Sequence, residues 1–190
     1  MKFAAAITLF AASASAFSPF SGAKKAAAVA TPAFTVETIP GALEPMGIWD
    51  PLGFAAKADE KTLKRYREAE LTHGRVAMLA TIGFLAGEAV PPLFWALLAT
   101  GIGAAEQKRA EIGWVEPSNV PVDQPGLLRA EYTPGDIGFD PLGLKPEDPE
   151  ELLVLQNKEL QNGRLAMLAA AGFMAQELAD GKGIMEHLMN

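Results

Sequence analysis

Two short segments carry residues that could do chemistry together: Glu70-Leu-Thr-His73-Gly-Arg75 and Glu159-Leu-Gln-Asn162-Gly-Arg164. In each, an acid is followed three residues on by an imidazole or an amide, and five residues on by an arginine. Positions three apart share a helix face, so Glu70 with His73, and Glu159 with Asn162, are donor pairs one turn apart. Positions five apart differ by about 140° around the axis, and Glu70 does not pair comfortably with Arg75 on its own helix. The natural partner is the arginine of the other segment, Glu70 with Arg164 and Glu159 with Arg75. A carboxylate held through one oxygen keeps the other for a hard cation, and a magnesium already held in a ring plane needs only one such axial oxygen or nitrogen.

These segments must be positioned by a pair of matching helices, because each heads a longer repeat: residues 70–88 return as residues 159–177. The match extends upstream, where Ile48-Trp-Asp-Pro-Leu-Gly-Phe54 resembles Gly138-Phe-Asp-Pro-Leu-Gly-Leu144. Asp-Pro-Leu-Gly is turn chemistry, with proline fixing one dihedral and glycine permitting the next. The spacing predicts a first long helix over 62–90, its opening turns (Lys64, Arg65, Arg67, Glu68) facing water and its 71–90 portion spanning about 30 Å. A second long helix is expected over 149–178. Crossing the two sets Gly74, Ala77, Ala80 and Gly83 against Gly163, Ala166, Ala169 and Gly172, small residues that permit close backbone approach. A shorter helix is expected over 92–112. Its uncharged run, residues 93–105, reaches only about 20 Å, so a span there must include a paired Glu106 and Arg109. The Pro- and Gly-rich segment 113–148 reads as an extended surface loop. The expected fold is an all-α membrane protein: two long crossed transmembrane helices related by the repeat, plus a shorter third.

Composition narrows the function classes. The 190 residues are 49% hydrophobic with a net charge of −7 and no cysteine, which excludes disulfides, thiol nucleophiles and cysteine metal sites. Residues 1–36 contain three lysines and no acid, leaving 13 basic against 23 acidic residues beyond them, a balance that argues against a nucleic-acid partner. Lys2, the apolar stretch to Ala12 and Ala14-Ser15-Ala16 have the form of a signal peptide over 1–16, and the basic, Ser- and Ala-rich 17–36 that of a transit segment, the alternative being an ordinary secretory signal followed by a disordered mature N-terminus. The functional domain is then 37–190.

Rival chemistries fit less well. Glu70-x-x-His73 is also the signature of a di-iron carboxylate bundle, but Asn162 leaves that reading one histidine short. A pigment-free scaffold or transporter built on repeats is a second alternative, although the copies run in the same direction and no broken helix marks a midplane site. A third takes His73 and Asn162 as interhelical hydrogen-bonding groups. The paired spacing favours a tetrapyrrole such as chlorophyll, whose apolar ring covers helix surface around its metal. Gln176, fourteen residues after Asn162, lies on a similar face and is a further donor, as are Glu106 and Gln107. Phe84, Phe173, Met78 and Met167 read as packing residues, and His187 as a solvated residue of a polar tail.

With these motifs the chain resembles the light-harvesting chlorophyll-binding superfamily, over nearly everything after residue 40. Trp49-Asp-Pro-Leu-Gly-Phe54, 63–73, Ile112-Gly-Trp-Val-Glu-Pro117 and 122–129 are similar to the stress-related LHCX branch of diatoms and allied algae. The resemblance implies a non-enzymatic antenna protein of the plastid thylakoid membrane, multi-pass with a stromal N-terminus, that harvests light and dissipates excess excitation; a plain antenna without quenching is its alternative. It implies chlorophyll a, chlorophyll c, fucoxanthin and diadinoxanthin/diatoxanthin as cofactors, and lipids, other antenna subunits and a photosystem core as partners. It makes Glu70, His73, Glu106, Glu159, Asn162 and Gln176 ligands of chlorophyll magnesium, Arg75, Arg164 and Arg109 ion-pair partners, and the Asp-Pro-Leu-Gly turns holders of carotenoid ends. It places Glu88, Glu177 and Asp180 near the lumen as candidate acid sensors. One departure is expected to matter: about twenty residues between the first two spans are missing, and so tight a link should hinder reversal of the short helix or strain the Glu106 site.

Overall fold

The computed structural model describes residues 35, 39–42, 47–87, 90–122 and 124–189, the side chain of Leu188 excepted. The expected leader segments over 1–16 and 17–36, apart from Thr35, lie outside the described residues, as does Glu88. Helices run α1 (Phe54–Lys57), α2 (Glu60–Ala86), α3 (Pro92–Gly113), α4 (Pro149–Asp180) and α5 (Ile184–Met189), and an antiparallel bridge joins Trp114 to Leu128. Local chemistry sets the ends. Asp148 caps α4 by accepting from the Glu150 amide at 3.1 Å, Pro149 takes the first helical position, and Gly181 closes the helix in the left-handed region. Pro92 opens α3 in the same way.

The centre of the fold is the crossing of α2 with α4. A Cβ added to Gly74 would lie 3.0 Å from the Gly163 Cα, so the two backbones touch at equivalent points of the repeat. Beyond it Ala77, Ala166 and Ala170 are buried, with Met78, Met167 and Phe84 packed on them. Phe84 and Phe173, also repeat equivalents, meet edge to face at 5.8 Å. The expected contact line departs from this further along. Around Gly83 and Gly172 an added Cβ would meet nothing within 4 Å, and Ala170 rather than Ala169 is buried. Helices that cross at an angle diverge away from the contact point, so small residues there line open space rather than a seam.

The short link does not prevent reversal. Trp95 near the start of α3 packs by Gly87 at the end of α2, and Arg109 near the end of α3 reaches Glu68 near the start of α2. The two helices therefore form an antiparallel hairpin. Residues 113–122 and 124–135 are not an extended loop but a folded cap. Val115 N–H donates to Leu127 and Arg129 N–H to Gly113, Leu128 and Tyr132 are buried, and Arg65 donates to the Pro125 carbonyl at 2.7 Å. His187 is exposed, as expected, and lies on α5 with Nδ1 3.2 Å from Asp180.

Helix length is ample for a bilayer, α2 and α4 measuring about 40 and 48 Å. Apolarity is not: among the described residues no helix is long and apolar enough to cross a membrane, the donor motif putting Glu and Arg inside each long helix, with His73 between them in α2 and Asn162 in α4.

Candidate functional site: a reciprocal lock with outward donors

The two ion pairs cross the seam. Arg75 Nε donates to Glu159 at 2.7 Å and Arg164 Nε donates to Glu70 at 2.8 Å, with all four side chains partly buried. Each guanidinium also holds a loop: Arg75 donates to the Gly135 carbonyl and Arg164 to the Gly41 carbonyl, both at 2.9 Å. The loop amides point back to the same helices. Gly135 N–H donates to Glu68 at 2.7 Å and Gly41 N–H to Asn157 at 2.6 Å. A Pro-Gly pair thus precedes each long helix and clips onto the other one. Both glycines have positive φ, 107° for Gly41 and 84° for Gly135, and a Cβ on either would collide with the repeat-equivalent leucines Leu160 and Leu71. These clips were not foreseen, although Pro40-Gly41 and Pro134-Gly135 are visible as a repeated dipeptide.

The Asp-Pro-Leu-Gly turns are a second matched pair. Asp50 accepts from the amides of Phe54, Ala55 and Ala56, and Asp140 from those of Leu144 and Lys145. For Asp140 the Lys145 and Leu144 amides hold the carboxyl below its ordinary range. Cavities of about 210 and 220 Å³ flank the crossing, one beside Glu159, Arg75 and Gly135, the other beside Glu70, Arg164 and Trp49.

The donors differ in what remains open to a ligand. His73 Nδ1 donates to the Ala69 carbonyl at 2.6 Å, which leaves the Nε2 lone pair free on an exposed face. Asn162 is exposed and takes no hydrogen bond among the described residues, and Glu159 Oε2 is likewise unengaged. Gln176 donates its amide to Asp180 and keeps its carbonyl oxygen. Glu70 departs from the expected pattern: Oε1 takes Arg164 and Oε2 takes Arg67 at 2.7 Å, so only second lone pairs remain. Arg67 has Gln156 at its repeat equivalent, and that difference accounts for the asymmetry. Glu106 is exposed and bound by Arg109 at 3.1 Å, as the sequence predicts, but Arg109 also bonds Glu68 at 2.8 Å.

Arg67, expected to face water, is largely covered where it pairs with Glu70, and Glu68 departs further from the expectation. Expected to face water, it is 2% exposed and accepts from Arg109, from the Tyr132 hydroxyl at 3.0 Å and from Gly135 N–H. Burial, followed by the negative Glu68, raises the Tyr132 phenol to about 12. Among the described residues no three His, Asp or Glu side chains converge as a cage for a bare cation. The arrangement instead offers single axial donors, each beside uncovered apolar surface such as Val76 and Leu79 on α2 or Leu165 and Leu168 on α4. The donor set fits a ring-held magnesium that lacks one ligand.

Comparison with known proteins agrees with this geometry. Residues 35–178 match the model of the chlorophyll A-B binding protein family. The chain belongs to this family. It is 46% identical over 178 residues to light-harvesting complex stress-related protein 1 of Chlamydomonas reinhardtii, covering 80% of this chain and 69% of that one. To the fucoxanthin-chlorophyll a-c binding protein of Isochrysis galbana it is 45% identical over 161 residues, covering 75% and 77%. The fucoxanthin-chlorophyll a-c binding protein B of Phaeodactylum tricornutum is 34% identical over 194 residues, covering 93% of this family member and 95% of that relative. The family match takes in both halves of the lock, both donor pairs and all of α3.

Proposed function

We propose that this chain is a pigment-binding antenna of the plastid thylakoid membrane that harvests light and dissipates excess excitation as heat. The observation that carries the proposal is the lock itself: two crossed helices neutralise their own charges across the seam and leave His73 Nε2, Asn162 and Glu159 Oε2 facing outward beside apolar surface. Chlorophyll supplies the absorption and transfer of excitation, and the protein supplies the axial donors, spacing and orientation. Glu70, His73, Glu106, Glu159, Asn162 and Gln176 are the magnesium ligands in this reading. The turn-flanked cavities take the ends of carotenoids of the fucoxanthin and diadinoxanthin/diatoxanthin kind, and chlorophyll c accompanies chlorophyll a.

The membrane reading follows from the same charges. A helix that carries Glu, His and Arg enters a bilayer only if those groups are paired or ligating, and here Arg75 and Arg164 are bound to acids while the remaining donors are those assigned to pigment. Exposed Val76, Leu79, Ile82, Leu165, Leu168 and Ile102 then meet pigment rings and lipid rather than water. α2, α3 and α4 are the spans, with a stromal N-terminus, and residues 1–36 act as the bipartite leader. Photosystem cores and other antenna subunits are the partners.

The test is an absorption spectrum of the isolated protein with pigment extraction. Chlorophyll and fucoxanthin bands are expected, and a colourless protein would refute the reading. Similarity to a stress-related protein supports the dissipative role, whereas nearly equal similarity to a fucoxanthin-chlorophyll protein favours a plain antenna. Fluorescence lifetime separates them: dissipation requires a short-lived quenched state, and a long lifetime at every pH identifies the plain antenna.

A further inference from the structure

The repeat is nearly symmetric at the clips, and among the groups that hold the clip amides its chemistry breaks at Glu68. Its equivalent in the second copy is Asn157, and the two do the same work on their loops: each accepts the N–H of a Pro-Gly pair, at 2.7 Å for Glu68 and 2.6 Å for Asn157. A neutral amide suffices for that task. The negative charge on Glu68 therefore answers to something α4 lacks, and the geometry shows what it is. Among the described residues α2 is followed by a long helix that returns antiparallel to it, whereas α4 is followed by the six-residue α5, and Arg109 of α3 donates Nε to Glu68 Oε1 at 2.8 Å. Tyr132 donates its hydroxyl to the other oxygen. One buried carboxylate thus joins α2, α3, the cap and the loop before α4.

We infer that Glu68 is the positioning residue for the pigment site at Glu106, acting through Arg109; this rests on the antenna reading above. Arg109 is shared between two acids on different helices. Nε is held by Glu68, while NH1 lies 3.1 and 3.3 Å from the two oxygens of Glu106. A planar guanidinium fixed at Nε has little freedom left, so the direction of NH1, and with it the Glu106 carboxylate, is set by Glu68. The Trp114 ring, 4.8 Å from the guanidinium carbon, restricts it further. α3 is otherwise exposed along almost its whole length, Arg109 and Gly113 being its more covered residues. Without the Glu68 contact Glu106 would keep its partner but lose a fixed orientation relative to α2.

The experiment copies the second repeat onto the first. Glu68→Asn supplies an amide acceptor for Gly135 N–H, as Asn157 does for Gly41, and removes the charge that Arg109 needs. In pigment-loaded protein, Glu68→Asn is expected to lose the same chlorophyll difference band as Glu106→Ala, and the double variant is expected to lose no more than Glu106→Ala alone. Tyr132→Phe removes a donor to Glu68 without touching Arg109 and is expected to keep that band. Loss of chlorophyll from all sites together, additive loss in the double variant, or loss of the same band in Tyr132→Phe would each make Glu68 a general structural residue and overturn the inference. Should Glu68→Asn fail to fold, Arg109→Lys tests the same link: an ammonium cannot span both acids in a fixed plane, so the Glu106 band is expected to shift or vanish, and an unchanged band overturns the inference. A colourless wild-type protein would refute the antenna reading instead, so the two failures are distinguishable.

Discussion

Substituting alanine along the line of small residues on α2 separates glycine required by contact from glycine that merely accompanies the repeat. At Gly74 the new Cβ would sit 3.0 Å from the Gly163 Cα and 3.5 Å from its carbonyl carbon. Carbon atoms rest at about 3.5–4.0 Å, so the backbones must part by about half an ångström or more, and no flexible side chain can yield instead. Overpacking of this kind costs about 1–3 kcal/mol, against which alanine regains at most about 1 kcal/mol of helix propensity. Gly74→Ala is expected to destabilise by about 1–2 kcal/mol, and to lengthen the Arg75–Glu159 and Arg164–Glu70 contacts that flank the crossing. At Gly83 nothing lies within 4 Å. Gly83→Ala is therefore expected to be neutral or to stabilise by up to about 1 kcal/mol. Both effects are read from a denaturant titration of pigment-loaded protein in detergent, followed by helical circular dichroism. Equal losses for the two variants, or a larger loss at Gly83, would refute the crossing geometry.

Other outcomes follow from the same structure. A double-mutant cycle on Glu70→Gln and Arg164→Gln should give a coupling of about 1–3 kcal/mol, between the values for exposed and for buried pairs, while Glu70→Gln with Arg75→Gln should give close to none. Asp140→Asn should lower the unfolding midpoint at neutral pH. Because the folded Asp140 carboxyl lies below its ordinary 3.8, its contribution is complete above that value and fades as pH falls through the lower folded one, so the difference between variant and wild type should vanish in strong acid. Tyr132, raised to about 12, contributes stability that is fully present below the ordinary 10 and lost as pH rises through about 12; Tyr132→Phe should remove the tyrosinate signal that appears last in an alkaline titration. His73→Ala should lose one chlorophyll with the lock intact, measured by pigment extraction and circular dichroism.

Much of the lock was legible because buried charge is demanding. Glu70 and Arg75 cannot meet on one helix, so a repeat that carries both implies exchange between copies. The clips were harder to see because Gly41 lies nine residues before Asp50 while Gly135 lies five before Asp140, a change of spacing that hides the match. Glu68 was misread for a different reason. Its neighbours Lys64, Arg65 and Arg67 give the segment a solvated composition, and its partner Arg109 stands 41 residues away on another helix. Gly83 and Gly172 show the limit of pattern reading, since small residues permit close approach but the crossing angle decides where it happens.

The outward lone pairs of His73 Nε2 and Glu159 Oε2 are the ones that should hold magnesium. An experimental map of the pigment-loaded protein decides this: ring metals are expected within bonding distance of His73 Nε2 and of a Glu159 oxygen, with Arg75 still bound to Glu159 and Arg164 to Glu70. Magnesium elsewhere, or guanidinium groups released from the opposing acids when pigment is bound, would contradict it.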